Sequence, residues 1–150
     1  MSGENTDGRA RATTIKARVL YADTDQMGVV NHATYLRWFE ASRASYMRRR
    51  GSAYSVVEQD GLQLPVVEAH LNYLKPARYD DVISIEAWVA DLGLAQLRFE
   101  YEIRRDDEPL VRGFTRHAAV SPAGRPTRLP EEIRVALGGP ERELDGGQVD

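Results

Sequence analysis

The order of elements in this 150-residue chain predicts an α+β domain, one antiparallel sheet of about five strands wrapped round one long helix. Three observations predict it. Residues 31–50 read as a helix of about five turns, because Tyr35, Leu36, Phe39, Tyr46 and Met47 recur at spacings of three, four and seven. Further on, Leu97, Phe99, Tyr101 and Ile103 alternate with Arg98, Glu100, Glu102 and Arg104, the pattern of a half-buried antiparallel strand. Finally, a strand precedes the helix and four strands joined by short turns follow it. Burying five large helical side chains at roughly 1.5–3 kcal/mol each is enough to hold helix to sheet.

Each element has its own signals. Residues 1–12 are polar and aperiodic and are expected to form a disordered leader. Residues 13–22 suggest a first strand, with Ile15, Ala17, Val19 and Tyr21 on one side. A polar loop carrying Asp23, Asp25 and Gly28 leads to Asn31, whose side chain suits a helix N-cap. Arg48, Arg49 and Arg50 sit at the negative end of the helix and read as a solvated terminus, and Gly51 can take the left-handed stop. Residues 52–60 suggest a short second helix or turn ended by Gly61, and residues 62–74 a strand with Pro65 near its start. Residues 75–81 form a turn. Residues 82–90 place Ile83, Ile85, Ala87 and Val89 on one face, and Gly93 breaks the chain. Residues 106–109 read as a hairpin connection, 110–121 as the last strand and 129–137 as a short helix. The Gly- and acid-rich residues 138–150 are expected to be disordered, leaving a single domain over 13–137. The open sheet face and edges predict a homo-oligomer, a dimer or a dimer of dimers that makes a homotetramer.

Composition narrows the function. Hydrophobic residues make up 42% and charged residues 29%, with net charge −3 and a pI near 5.7. No nucleic-acid partner is expected from such bulk charge. No apolar run approaches the roughly 20 residues of a membrane span, and the start of the sequence lacks the apolar core of a signal peptide. Without cysteine, disulfides, thiolate metal sites and thiol catalysis are excluded. A cytoplasmic location is expected. His32, His70, His117 and the aspartates do not have the spacing of a metal site, so no metal is expected.

The chemistry concentrates in residues 21–50. A helix N-terminus offers unpaired amides to an anion or a polarised carbonyl, and two aspartates lie just ahead of it. Most such Asp-x-Asp pairs are turn and cap residues. Beside a helix tip, a carboxylate also suits acyl transfer.

The stretch from Tyr21 through Asp23, Asp25, Gly28, His32, Tyr35 and Trp38 to Glu40 resembles the signature of the 4-hydroxybenzoyl-CoA thioesterase family, most closely its Tol–Pal-associated acyl-CoA thioesterase branch. Residues 73–81, with Lys75, Pro76, Ala77 and Arg78, and residues 124–130 also fit, so the resemblance covers about residues 15–137. It implies a hotdog fold, a homodimer or dimer of dimers, and hydrolysis of an acyl-CoA or acyl carrier protein thioester without a cofactor. Carried over by position, the catalytic carboxylate falls on Asp25, with Tyr21 and His32 also implicated and the His32 amide polarising the carbonyl. Gly28, Asn31, Lys75, Arg78, Arg125 and Arg128 are assigned to substrate binding. One departure stands out. The basic cluster that grips CoA phosphates in the 4-hydroxybenzoyl branch is replaced here by Asp91-Leu92-Gly93-Leu94-Ala95. The loop cations would then serve instead, or the carrier would be acyl carrier protein, for which Arg48–Arg50 is a candidate patch. The carboxylate could attack directly to give a mixed anhydride or deprotonate water. The rival readings are an aromatic or polyketide-pathway hotdog thioesterase, a hotdog hydratase, and a non-catalytic acyl-binding or carrier-protein scaffold.

Overall fold

In the computed structural model, which describes residues 6–51, 57, 59 and 61–141, five strands form a single antiparallel sheet. The strands are β1 (Thr13–Arg18), β2 (Val66–Tyr73), β3 (Val82–Leu92), β4 (Gln96–Arg105) and β5 (Glu108–Ala118). Their order across the sheet is β1-β3-β4-β5-β2. Helices α1 (Thr6–Ala10), α2 (His32–Arg48) and α3 (Glu131–Leu137) accompany them. Consecutive strands β3, β4 and β5 pair as hairpins, and Asp106 takes a positive φ of 53° in the tight β4–β5 turn.

Alternation along the strands decides which face meets the helix. Ile83, Ile85, Ala87 and Val89 of β3 and Leu97, Phe99, Tyr101 and Ile103 of β4 are all buried, as their spacing requires. Helix α2 lies on this face, where the Phe39 ring stacks flat on Tyr101 at 4.0 Å and Tyr46 meets Phe99 edge-on. One polar thread crosses the same layer. Tyr101 donates to Thr115 Oγ1 (2.6 Å), Thr115 to His117 Nε2 (2.8 Å), and His117 Nδ1 to the Leu64 carbonyl (2.9 Å). The carbonyl can only accept, so it sets the direction of every bond in the thread.

Several expectations are corrected. Tyr21 is not the end of β1. The strand stops at Arg18, and residues 21–23 form a 3₁₀ turn closed by the Asp23 carboxylate, which accepts from Leu20 N (2.9 Å), leaving Tyr21 80% exposed. Strand β2 begins at Val66 rather than 62, β3 runs on to Leu92, and β5 starts at Glu108, inside the expected hairpin connection. Leu36 is 42% exposed, because a 3.6-residue period that buries Tyr35 and Phe39 turns it outward. The buried face instead uses Trp38, Ser42 and Ser45, small hydroxyl residues among them letting the helix approach the sheet.

Arg50 is no solvated terminus. It is 1% exposed, donating to Thr13 Oγ1 (2.7 Å), to the carbonyls of Tyr46 (3.0 Å) and Gly139 (3.1 Å) and to that of Arg11, with its guanidinium over the Tyr46 ring. Residues 6–10 of the expected disordered leader form α1, held over the outer sheet face by Arg9, which pairs with Glu86 and Glu102 and covers Trp88. Residues 138–141 likewise lie against the domain, where Glu141 accepts from Thr13 Oγ1. The expected second helix over 52–60 falls almost wholly outside the described residues. At Gly51 the expected left-handed stop is present, with φ 74°.

Candidate active site

Asn31 closes the loop that carries the aspartates. Its side-chain oxygen caps α2 by accepting from Thr34 N (3.0 Å), while its backbone N and Nδ2 donate to the Asp23 carbonyl (3.1 and 3.2 Å). Asp23 is buried, and its carboxylate also accepts from Arg37 (2.8 Å), so it shapes the loop. Between these anchors the chain doubles back. Asp25 N donates to Val29 O (2.9 Å), Gly28 N to Asp25 O (3.0 Å), and Gly28 supplies the φ of 79° that this turn needs.

The turn fixes one oxygen of Asp25 and leaves the other open. Oδ1 accepts from Met27 N (2.8 Å) and Val29 N (3.4 Å), while Oδ2 has no partner among the described residues and the side chain is exposed. His32 is the first residue of α2. A helix cannot pair its own first amides. Those of His32 and Ala33 have no partner among the described residues, so they remain for an incoming acceptor. The His32 ring lies against Tyr73 of β2, with Nδ1 2.7 Å from the phenol oxygen. Burial pushes the Tyr73 phenol above its ordinary pKa, and does the same for Tyr35.

Residues 75–81 brace this loop. Ala77 is fully buried, its N donating to Tyr35 Oη (3.1 Å) and its carbonyl accepting from Val30 N (3.0 Å). Val29 and Arg78 form an isolated bridge, which sets Arg78 beside the Asp25 loop. Lys75 pairs with Glu108, and the Tyr21 ring meets Tyr79 edge-on at 6.0 Å. One end of the sheet therefore gathers Tyr21, Asp25, Gly28, Asn31, His32, Lys75 and Arg78.

Arg125 and Arg128 are not part of that group. They follow β5 at the opposite end, where Thr127 N bonds Ala119 O and Leu129 N bonds Leu94 O. The eleven residues of β5 separate the two ends by about 35 Å at roughly 3.3 Å per residue. Arg48–Arg50 also lie at that far end. Neither of two cavities, about 440 Å³ beside Lys16, Ser45 and Arg48 and about 250 Å³ beside Arg11, Tyr46 and Leu137, includes Asp25. In a single chain the Asp25 side chain is exposed. The residue that sequence reasoning left without a role is Tyr73. It heads the 73–81 stretch that fits the family, but its contact with His32 spans 41 positions and no local pattern shows it.

An antiparallel sheet wrapped on one helix, with a carboxylate loop running into the helix tip, is the arrangement of hotdog-fold thioester hydrolases. Comparison with known proteins agrees. Residues 19–137 match the family model of the thioesterase-like superfamily. The acyl-CoA thioesterase YbgC of Haemophilus influenzae is 31% identical, over 80% of this chain and 90% of that protein. A probable thioesterase from Bartonella henselae superposes with a TM-score of 0.73 at 33% identity, covering 79% of this chain and 99% of that one. The hypothetical protein TT1821 from Thermus thermophilus gives a TM-score of 0.78 at 39% identity, covering 84% and 95%. The chain belongs to the thioesterase-like superfamily, and it is a thioester hydrolase.

Proposed function

We propose that this enzyme hydrolyses acyl-CoA thioesters, as the name of its Haemophilus relative states for that protein, with Asp25 and the start of α2 as its working parts. The observation that supports this is the exposed Asp25 carboxylate, one oxygen tied by loop amides and one free, a few residues before the unpaired amides of His32 and Ala33. The thioester oxygen accepts from the helix tip, and such an aimed donor is typically worth roughly 10²–10³ in rate. Asp25 takes a proton from water as the water oxygen attacks the carbonyl carbon, or attacks that carbon itself. The C–S bond then breaks, and the thiolate leaves and is protonated; in the second route the acyl group stays on Asp25 as a mixed anhydride, which water cleaves to the free acid, restoring the carboxylate. Tyr21 borders the loop, and Gly28 and Asn31 hold its shape.

The site is completed in a homodimer. Strand β2 is bonded on one side only and is exposed along most of its length, with Val66, Val67 and Tyr73 uncovered. Antiparallel pairing of two β2 edges sets the Arg125 and Arg128 end of a second copy beside the Asp25 end of the first, where Lys75 and Arg78 already lie. These cations receive the carrier's phosphates. Membership of the Tol–Pal-associated branch and a cytoplasmic location belong to the same reading; no described helix is long and apolar enough to cross a membrane.

The test is thiol release from short, long and aromatic acyl-CoAs and from acyl carrier protein thioesters, with Asp25→Asn alongside. The amide oxygen of Asn can still accept from Met27 N, so the variant should melt within about 2 °C of wild type. Its kcat should fall by about 10²–10⁴. A folded variant with unchanged turnover would remove Asp25 from the reaction.

A further inference from the structure

We propose that Tyr73 is a positioning residue that sets the tautomer of His32, donating to Nδ1 so that Nε2–H is presented as a hydrogen-bond donor. This rests on the reading of the Asp25 loop and the α2 start as the active site, and it assigns the His32 side chain a role that loop geometry alone leaves open.

The separation of 2.7 Å between Nδ1 and the phenol oxygen suits a hydroxyl donor, since N–H···O contacts centre at about 2.9–3.0 Å and O–H donors come closer. The phenol oxygen shares a lone pair with its ring and accepts weakly, whereas an imidazole nitrogen accepts well. Among the described residues the Tyr73 hydroxyl has no other hydrogen-bond partner. Among those residues its proton therefore has one acceptor, Nδ1.

The rings are held as well as hydrogen-bonded. His32 and Tyr73 lie 4.8 Å apart between centroids, and Tyr73 also meets Tyr35 at 5.5 Å. Tyr35 is anchored in turn, because its hydroxyl accepts from Ala77 N. A chain of contacts thus runs from the 75–81 turn through Tyr35 and Tyr73 to the imidazole. A neutral imidazole carries one N–H. With Nδ1 accepting, that proton is on Nε2, so His32 donates to substrate and Asp25 remains the proton acceptor. The two side chains then have opposite roles at one carbonyl, donor and base.

The direct test is the tautomer, read from ¹⁵N shifts of His32 in the wild-type enzyme at a pH where the ring is neutral. Nε2–H with an accepting Nδ1 is expected, and a dominant Nδ1–H form overturns the proposal without any variant. In Tyr73→Phe the shifts should move toward a mixture of tautomers, and kcat should fall about tenfold, the loss of one aligned hydrogen bond, with KM unchanged. A variant that keeps both the wild-type tautomer and wild-type kcat refutes the positioning role. The site reading fails separately, through a fully active Asp25→Asn, whatever tautomer His32 shows.

Discussion

Gly113→Ala tests how tightly helix and sheet are fitted. Gly113 stands opposite Tyr101 on one side and Leu71 on the other, under the ring of Phe39. A Cβ built there comes within 2.4 Å of the His70 carbonyl oxygen and 2.9 Å of Phe39 Cε2. Carbon contacts are normally at least about 3.5 Å, so Phe39 would have to withdraw by roughly half an ångström. It has little freedom to do so, being fully buried and stacked on Tyr101 at 4.0 Å. Strand β2 would have to shift as well, loosening its ladder with β5. Overpacking of this kind costs about 1–3 kcal/mol and the displaced ladder adds to it, so about 3 kcal/mol is expected. For a domain of this size that lowers Tm by about 6–12 °C. Thermal melts by circular dichroism should show it, with Gly124→Ala as the control. At Gly124 a Cβ meets nothing within 4 Å but φ is +80°, so only backbone strain of about 1–2 kcal/mol applies. A Gly113→Ala protein melting within about 2 °C of wild type would refute the fit.

Two further outcomes follow from buried polar groups. Arg50→Ala leaves three carbonyls and the Thr13 hydroxyl without their donor, and should cost about 3–5 kcal/mol, read from the urea midpoint; a loss under about 1 kcal/mol would contradict the lock. Burial, with a smaller contribution from Arg43, pushes the His117 imidazole down to about 4. Below about pH 6.5 the unfolded chain takes up a proton that the folded chain refuses until pH nears 4, so stability falls on acidification across that window, by on the order of 3 kcal/mol. Urea midpoints between pH 7 and pH 4.5 should fall less steeply in His117→Gln, and equal slopes would count against the assignment.

Local patterns carried much of this molecule. The Asn31 cap, the Gly51 stop and the inward faces of β3 and β4 depend on near neighbours and on the periods of helix and strand, which any reader of the chain can count. The motif from Tyr21 to Glu40 was legible for the same reason, since Asp25 and the helix tip are joined by a tight loop and share one locality.

What a linear reading could not supply were relations between distant positions. It grouped Arg125 and Arg128 with Lys75 and Arg78, and only the antiparallel course of β5 shows that one chain holds them at opposite ends. Arg50 reads as a charged helix end until Thr13, Arg11 and Gly139 fold over it, for burial is set by what arrives from elsewhere. The same holds for Tyr73 and His32. Sequence determines which groups a segment offers, because propensity and periodicity act over a few residues. Tertiary structure decides which of them meet, because hydrogen bonds and packing act over a few ångströms regardless of chain distance.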